Sequence, residues 1–134
     1  MIHLDTSFAI DLLRESRRGK SGPATSFLAR LETQELAMSV FVACELSAGA
    51  ELSQRPREEL HRVEELCGAV TIAYPDARFA TEYGRILAYL ERRKTRIATM
   101  DLLIGTAALL AEAPLVTRNV RHFERIPDLE TLSY

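Results

Sequence analysis

Three carboxylates stand as isolated charges inside apolar runs. Asp5 is the only acid in residues 1–10 (MIHLDTSFAI), Glu45 the only charge in 36–50 (LAMSVFVACELSAGA), and Asp101 the only charge in 97–111 (IATMDLLIGTAALLA). Apolar runs are what a chain buries, and a buried carboxylate is costly unless its charge is compensated. No Lys or Arg lies near any of the three in sequence, which points to a shared cation. With Thr6, Ser7 and Asn119, the candidate donors are oxygens and amides, the set that hard divalent cations such as Mg²⁺ prefer. His3, His61 and His122 are scattered and give no zinc spacing with the cysteines. One or two Mg²⁺ ions held by these acids could activate water and stabilise a leaving oxygen in phosphodiester cleavage.

The elements that must position these side chains follow from periodicity. A short strand over 1–4 ends at Asp5, and Thr6 or Ser7 caps a helix over 8–13. Residues 14–22 (RESRRGKSG) read as a basic loop, and Pro23 opens a second helix with Phe27, Leu28 and Leu31 on one face. A strand over 36–38 leads to Ser39, which caps a helix over 40–53 carrying Glu45. Residues 54–57 break the chain. Residues 57–67 are amphipathic, with Gly68 as the stop. A third strand covers 70–73, and Pro75–Asp76 opens a long helix to about Arg93. Residues 94–97 form a loop before Thr99, which caps the helix holding Asp101. A fourth strand covers 115–117, a turn or short helix holds His122 and Phe123, and 129–132 supplies a fifth strand. Strands alternating with helices predict an α/β fold with a parallel sheet of four to five strands covered on both faces. Ligand sites in such sheets lie outside the carboxyl ends of the strands. Asp5 and the segment from Thr117 to Asn119 sit at two such ends, and Asp101 sits in a helical first turn where the dipole favours an anion.

Composition narrows the class. The chain has 134 residues, 47% of them hydrophobic, and a formal net charge of −2. That is one domain's length with a real core, and it carries no overall basic field, although a local patch can still bind nucleic acid. Only Lys20 and Lys94 among the seventeen basic residues are lysine; the arginine bias matches genome composition as well as phosphate recognition. Cys44 and Cys67 read as reduced core residues of a cytoplasmic protein rather than a disulfide framework. Asp5 and Asp11 interrupt the N-terminal apolar residues, so no signal peptide is expected. The longest near-apolar run, 102–111, is far short of the ~20 residues needed to span a bilayer.

Four segments carry a resemblance. LDTS at 4–7, Glu45 within VACELSAGA, DLLIGTAAL at 101–109 and VTRNVRHFERIPDL at 116–129 look like the PIN-domain nucleases. Within these, the chain resembles the VapC-type ribonuclease toxins of bacterial toxin–antitoxin pairs. The four motifs occur in family order and span essentially the whole chain. The resemblance implies a PIN-like three-layer sandwich over residues 1–134. Asp5, Glu45 and Asp101 match the metal-binding acids, for Mg²⁺ with Mn²⁺ able to substitute. Thr117 and Asn119 match the last motif, where many members carry Asp, so Asn119 offers a neutral ligand or donor. Thr6 and Ser7 would orient Asp5 or contact the phosphate. An RNA substrate, a homodimer and a small antitoxin that blocks the site are also implied.

Rival readings are weighed against this one. Asp5 before Thr-Ser could be cap chemistry, and Asp101 a dipole partner. A phosphoacceptor signalling domain would need a Lys near the last strands, and there is none. A haloacid-dehalogenase-type phosphatase would need Asp where Ser7 stands. A non-catalytic PIN-fold scaffold for RNA or protein is the stronger rival, favoured by the neutral Asn119. His122 reads as a packing residue beside Phe123, His61 as a surface residue, and the stretch Arg92, Arg93, Lys94, Arg96 as a solvated helix end.

Overall fold

The computed structural model of the chain describes residues 1–31 and 33–134. In chain order the elements are β1 (Ile2–Leu4), α1 (Thr6–Arg18), α2 (Pro23–Arg30), β2 (Leu36–Ser39), α3 (Val40–Glu51), α4 (Pro56–Ala69), β3 (Thr71–Ala73), α5 (Phe79–Arg92), α6 (Thr99–Leu110), β4 (Leu115–Val116), α7 (Val120–Phe123) and β5 (Thr131–Leu132). The five strands are all parallel and lie in the order β3-β2-β1-β4-β5. The sheet expected from alternating strands and helices is therefore present, with all five strands in it.

The order fixes the layers. From β1 to β2 to β3 the chain steps one way along the sheet; from β3 to β4 it steps back past β1. Parallel crossovers are right-handed, so α1 to α4 cover one face and α5 to α7 the other. Packing agrees within each layer: α1 contacts α2 and α3, α3 contacts α4, α5 contacts α6, and α6 contacts α7; α3 also touches α6 across the two layers. Strands buried on both faces are apolar runs rather than alternating ones, and β1 is buried at every residue. Leu4, Met38 and Leu115 from the strands meet Phe8 of α1, Val42 of α3, Ile86 of α5, Ile104 of α6 and Phe123 of α7, all buried. Each such side chain contributes roughly 1.5–3 kcal/mol of burial.

The direction of travel reverses between β1 and β4. These strands are neighbours, with Leu4 opposite Val116. The Asp5 amide donates to the Val116 carbonyl at 3.0 Å. A crevice at the carboxyl ends of two strands that diverge in connectivity is where open α/β sheets bind ligands. Asp5 and Thr117 are the residues that follow these two strands.

Several boundaries differ from those expected. Residues 14–18 continue α1 instead of forming a loop, because Glu15, Arg17 and Arg18 are good helix formers; Gly19 ends the helix at φ 64°. Gly68 lies inside α4, which stops at Ala69 where Val70 turns extended. The long helix α5 starts at Phe79, since Asp76 spends its carboxylate on a turn, accepting from the Arg78 amide at 2.8 Å. Thr99 is the first residue of α6 and not its cap. Cys44 is exposed and not a core residue. His61 is a surface residue as expected, 3.0 Å from Glu65.

Helix α2 is capped from outside itself. Its Ala24 and Thr25 amides donate to the two Glu15 carboxylate oxygens at 3.0 and 2.7 Å. Gly22 makes room for this: a Cβ there would collide with the Glu15 carboxylate. Desolvation alone would raise the Glu15 carboxyl, but donors from Thr25, Ala24 and Gly22 outweigh it and hold it below its usual range.

Candidate active site

Asp5 is 2% exposed at the end of β1. It is the residue preceding α1, yet its side chain makes no capping hydrogen bond, so cap chemistry does not account for it. Two hydroxyls converge on one of its oxygens instead. Ser7 donates to Asp5 Oδ2 at 2.7 Å and Thr117 donates to the same atom at 2.6 Å. The Arg118 amide donates to Ser7 Oγ at 3.0 Å, and the Asn119 amide donates to Thr117 Oγ1 at 2.9 Å. A hydroxyl has one proton, and both protons are directed at Asp5. The 3.3 Å approach of Ser7 Oγ to Thr117 Oγ1 is therefore two acceptors drawn together by a common carboxylate. Among the described residues no side chain donates to Asp5 Oδ1.

Glu45 projects from α3, whose start is fixed by Ser39 accepting from the Val42 amide at 3.4 Å. Its Oε1 accepts the Thr6 hydroxyl at 2.7 Å. The Thr6 hydroxyl thus meets Glu45 rather than Asp5, and the Ser7 hydroxyl meets Asp5.

Asp101 lies in the first turn of α6. Its carboxyl is raised from the ordinary Asp range. Burial is the largest cause, the Asp5 charge the next, and the Glu45 charge adds to both; the nearby His122 ring opposes them. Opposition of this kind between acids is what a bound cation relieves. The His122 ring stands 3.6 Å from Asp101, with its side chain 54% exposed. His122 is thus at the site and not a packing residue. In a helical turn, adjacent side chains point apart, and Phe123 is the one that is buried. The spacing of three from Asn119 to His122 was the available signal.

Asn119 is exposed at the end of β4. Its backbone amide donates to Thr117 Oγ1, its carbonyl accepts from the His122 and Phe123 amides, and its side chain forms no hydrogen bond among the described residues. Arg118, not singled out from sequence, reaches back to α1: its Nη1 lies 3.2 and 3.1 Å from the two Asp11 oxygens. Tyr134 donates its hydroxyl to Asp11 Oδ2 at 2.6 Å.

Asp5, Glu45 and Asp101 are within reach of one another's charge, but as they stand no three His, Cys, Asp or Glu side chains among the described residues close into a metal cage. The donor chemistry fits a hard cation all the same. Every candidate ligand is an oxygen, two of the acids are held by hydroxyls, and the third bears the unrelieved charge of the others.

Comparison with known proteins agrees with the fold and places the chain in a family. The PIN domain family model matches residues 2–129. The chain is 31% identical over 127 residues to "Ribonuclease VapC1" of Haemophilus influenzae, covering 95% of this chain and 92% of that protein. It is 34% identical over 129 residues to "Ribonuclease VapC19" of Mycobacterium tuberculosis, covering 95% of each. Among solved structures, the complex VapBC2 of Rickettsia felis bound to a fragment of promoter DNA aligns with a TM-score of 0.90 and 26% identity, covering 100% of this chain and 99% of that one.

Proposed function

Because the chain belongs to the PIN-domain family, and within it resembles the VapC ribonucleases over nearly its whole length, we propose that it is the ribonuclease toxin of a type II toxin–antitoxin pair, using Mg²⁺ held by Asp5, Glu45 and Asp101. Mn²⁺ substitutes, as expected of an oxygen-only site. When bound, the ion lowers the pKa of a coordinated water and offsets charge on the leaving oxygen. The protein supplies placement. Ser7 and Thr117 fix Asp5 through one oxygen and leave the other to face the site. Thr6 fixes Glu45. Asp101 brings the third charge from the opposite helical layer, with His122 beside it. Asn119 stands at the rim as a neutral donor toward RNA or a hydrated ion.

The observation that carries this reading is Asp5: a buried carboxylate with two hydroxyls on one oxygen, near a second carboxyl raised partly by its charge. We infer a small antitoxin as partner, from the VapBC complex that the chain matches, and a homodimer of this chain. The compartment suited to an RNA substrate is the cytoplasm; no described helix is long and apolar enough to cross a membrane.

The test is RNA cleavage by the purified protein. EDTA should abolish it, and Mg²⁺ or Mn²⁺ should restore it. Full activity in EDTA would overturn the metal reading. A non-catalytic scaffold is the second reading, favoured by the open arrangement of the acids and by the neutral Asn119. RNA bound but uncut in saturating Mn²⁺, by a protein free of antitoxin, would establish it.

A further inference from the structure

We propose that Asp11 and Arg118 form a clamp that positions Asp5, by pinning the segment after β4 against the first turns of α1. The inference rests on Asp5 being a cation ligand. Ser7 and Asp11 are four residues apart on α1, so they share one face. Arg118 engages both. Its Nη1 alone donates to both Asp11 oxygens at 3.2 and 3.1 Å, and its backbone amide donates to Ser7 Oγ at 3.0 Å.

The amide contact holds the Ser7 oxygen in place beside Asp5. With one of its two lone pairs taken by the Arg118 N–H, the Ser7 hydroxyl has its proton free for Asp5 Oδ2 at 2.7 Å. The same segment carries Thr117, the other donor to that oxygen. Where the 117–119 backbone sits thus decides whether two hydroxyls reach Asp5 together. The guanidinium–carboxylate pair sets that position from the solvent side.

Tyr134 completes the arrangement. Its hydroxyl donates to Asp11 Oδ2 at 2.6 Å, and its ring stands edge-on to buried Phe8 of α1 at 4.7 Å. Burial and the Asp11 acceptor raise its phenol, which keeps it a donor. Asp11 therefore has little freedom to release Arg118. The Arg118 side chain is 55% exposed against 18% for Asp11, and a half-exposed pair of this kind adds little to stability. Its consequence is geometric.

The experiment compares Arg118→Ala, Arg118→Lys and Asp11→Ala with wild type, using Mn²⁺ alone as the probe. Calorimetric Mn²⁺ binding to the free protein is measured beside kcat and KM for RNA cleavage. Loss of a group that orients a metal ligand typically costs about tenfold or more in affinity. Arg118→Ala and Asp11→Ala should each weaken Mn²⁺ by about that factor and lower kcat, with KM for RNA held within about twofold. Arg118→Lys should recover much of the loss. Tyr134→Phe keeps the ring on Phe8 and should move Mn²⁺ binding the same way by less; it serves if Asp11→Ala does not fold. If Arg118→Ala raises KM and leaves Mn²⁺ binding intact while Asp11→Ala changes neither, Arg118 contacts RNA directly and the clamp is wrong. Unchanged Mn²⁺ binding in every variant also overturns it. Asp5→Asn is run in parallel: if that variant binds Mn²⁺ like wild type, the ligand assignment of Asp5 fails, and the clamp falls with it for that separate reason.

Discussion

The Thr6 hydroxyl donates to Glu45 Oε1 at 2.7 Å, joining the first turn of α1 to the middle of α3 across 39 residues of sequence. Neighbouring residues on one helix turn therefore serve different acids: Thr6 holds Glu45 and Ser7 holds Asp5. Thr6→Val keeps the shape and removes the donor. It should lower Mg²⁺-dependent cleavage by about tenfold, while stability falls by only about 1 kcal/mol. Titration of activity against Mg²⁺ together with a urea melt separates the two. Activity unchanged at limiting Mg²⁺ would mean that Glu45 does not serve the ion.

Asp101 should be a liability to the metal-free protein. Its folded carboxyl is raised by burial first, then by Asp5. A raised folded value means that its contribution is favourable below the unfolded carboxyl range and is lost as pH rises through the folded value. Asp101→Asn should therefore melt at or above wild type in EDTA at neutral pH, by up to about 1 kcal/mol, and lose that advantage in acid. Mg²⁺ should stabilise wild type by mass action and the variant much less. A variant that melts markedly lower in EDTA and still responds to Mg²⁺ would make Asp101 a structural dipole partner.

Asn119 invites the opposite change. Its side chain is exposed at the rim and makes no hydrogen bond among the described residues, so a new carboxylate there disrupts no existing bond. Asn119→Asp should lower the Mg²⁺ concentration giving half-maximal cleavage. An equal or higher requirement would place the side chain away from the ion.

Away from the site, Gly22→Ala should destabilise by about 1 kcal/mol, because it expels the Glu15 carboxylate from the first amides of α2. Glu15→Gln should cost a comparable amount. Glu15 has a lowered folded value, so its contribution is present above the unfolded Glu range and fades as pH falls through the folded one. Thermal melts across that interval should find wild type and Glu15→Gln converging in acid. Parallel curves throughout would remove Glu15 as the cap.

Periodicity, turn residues and the isolated acids made the order of elements and the three carboxylates legible, since each is a local pattern. The longer reach of α1 was hidden because Arg14 to Lys20 looks like a polar loop until Gly19 is given its left-handed conformation. What sequence did not reveal were pairings across the fold. Nothing near Arg118 points to Asp11, 107 residues away. The place of His122 depends on which way a four-residue helix turns. Glu15 reads as one more charge in a basic run until α2 folds back onto it.

The bond from Thr117 to Asp5 spans 112 residues, and the strands it joins lie side by side in the sheet. Every crossover from α1 to α6 lies between them. Contacts this distant form late, because the intervening chain must be ordered first. During synthesis, Asp5 and Glu45 leave the ribosome long before Thr117 can pin the first of them. The Asp5–Thr117 junction is complete only when β4 lies beside β1, so this rim of the sheet is among the last parts of the fold that the chain can close.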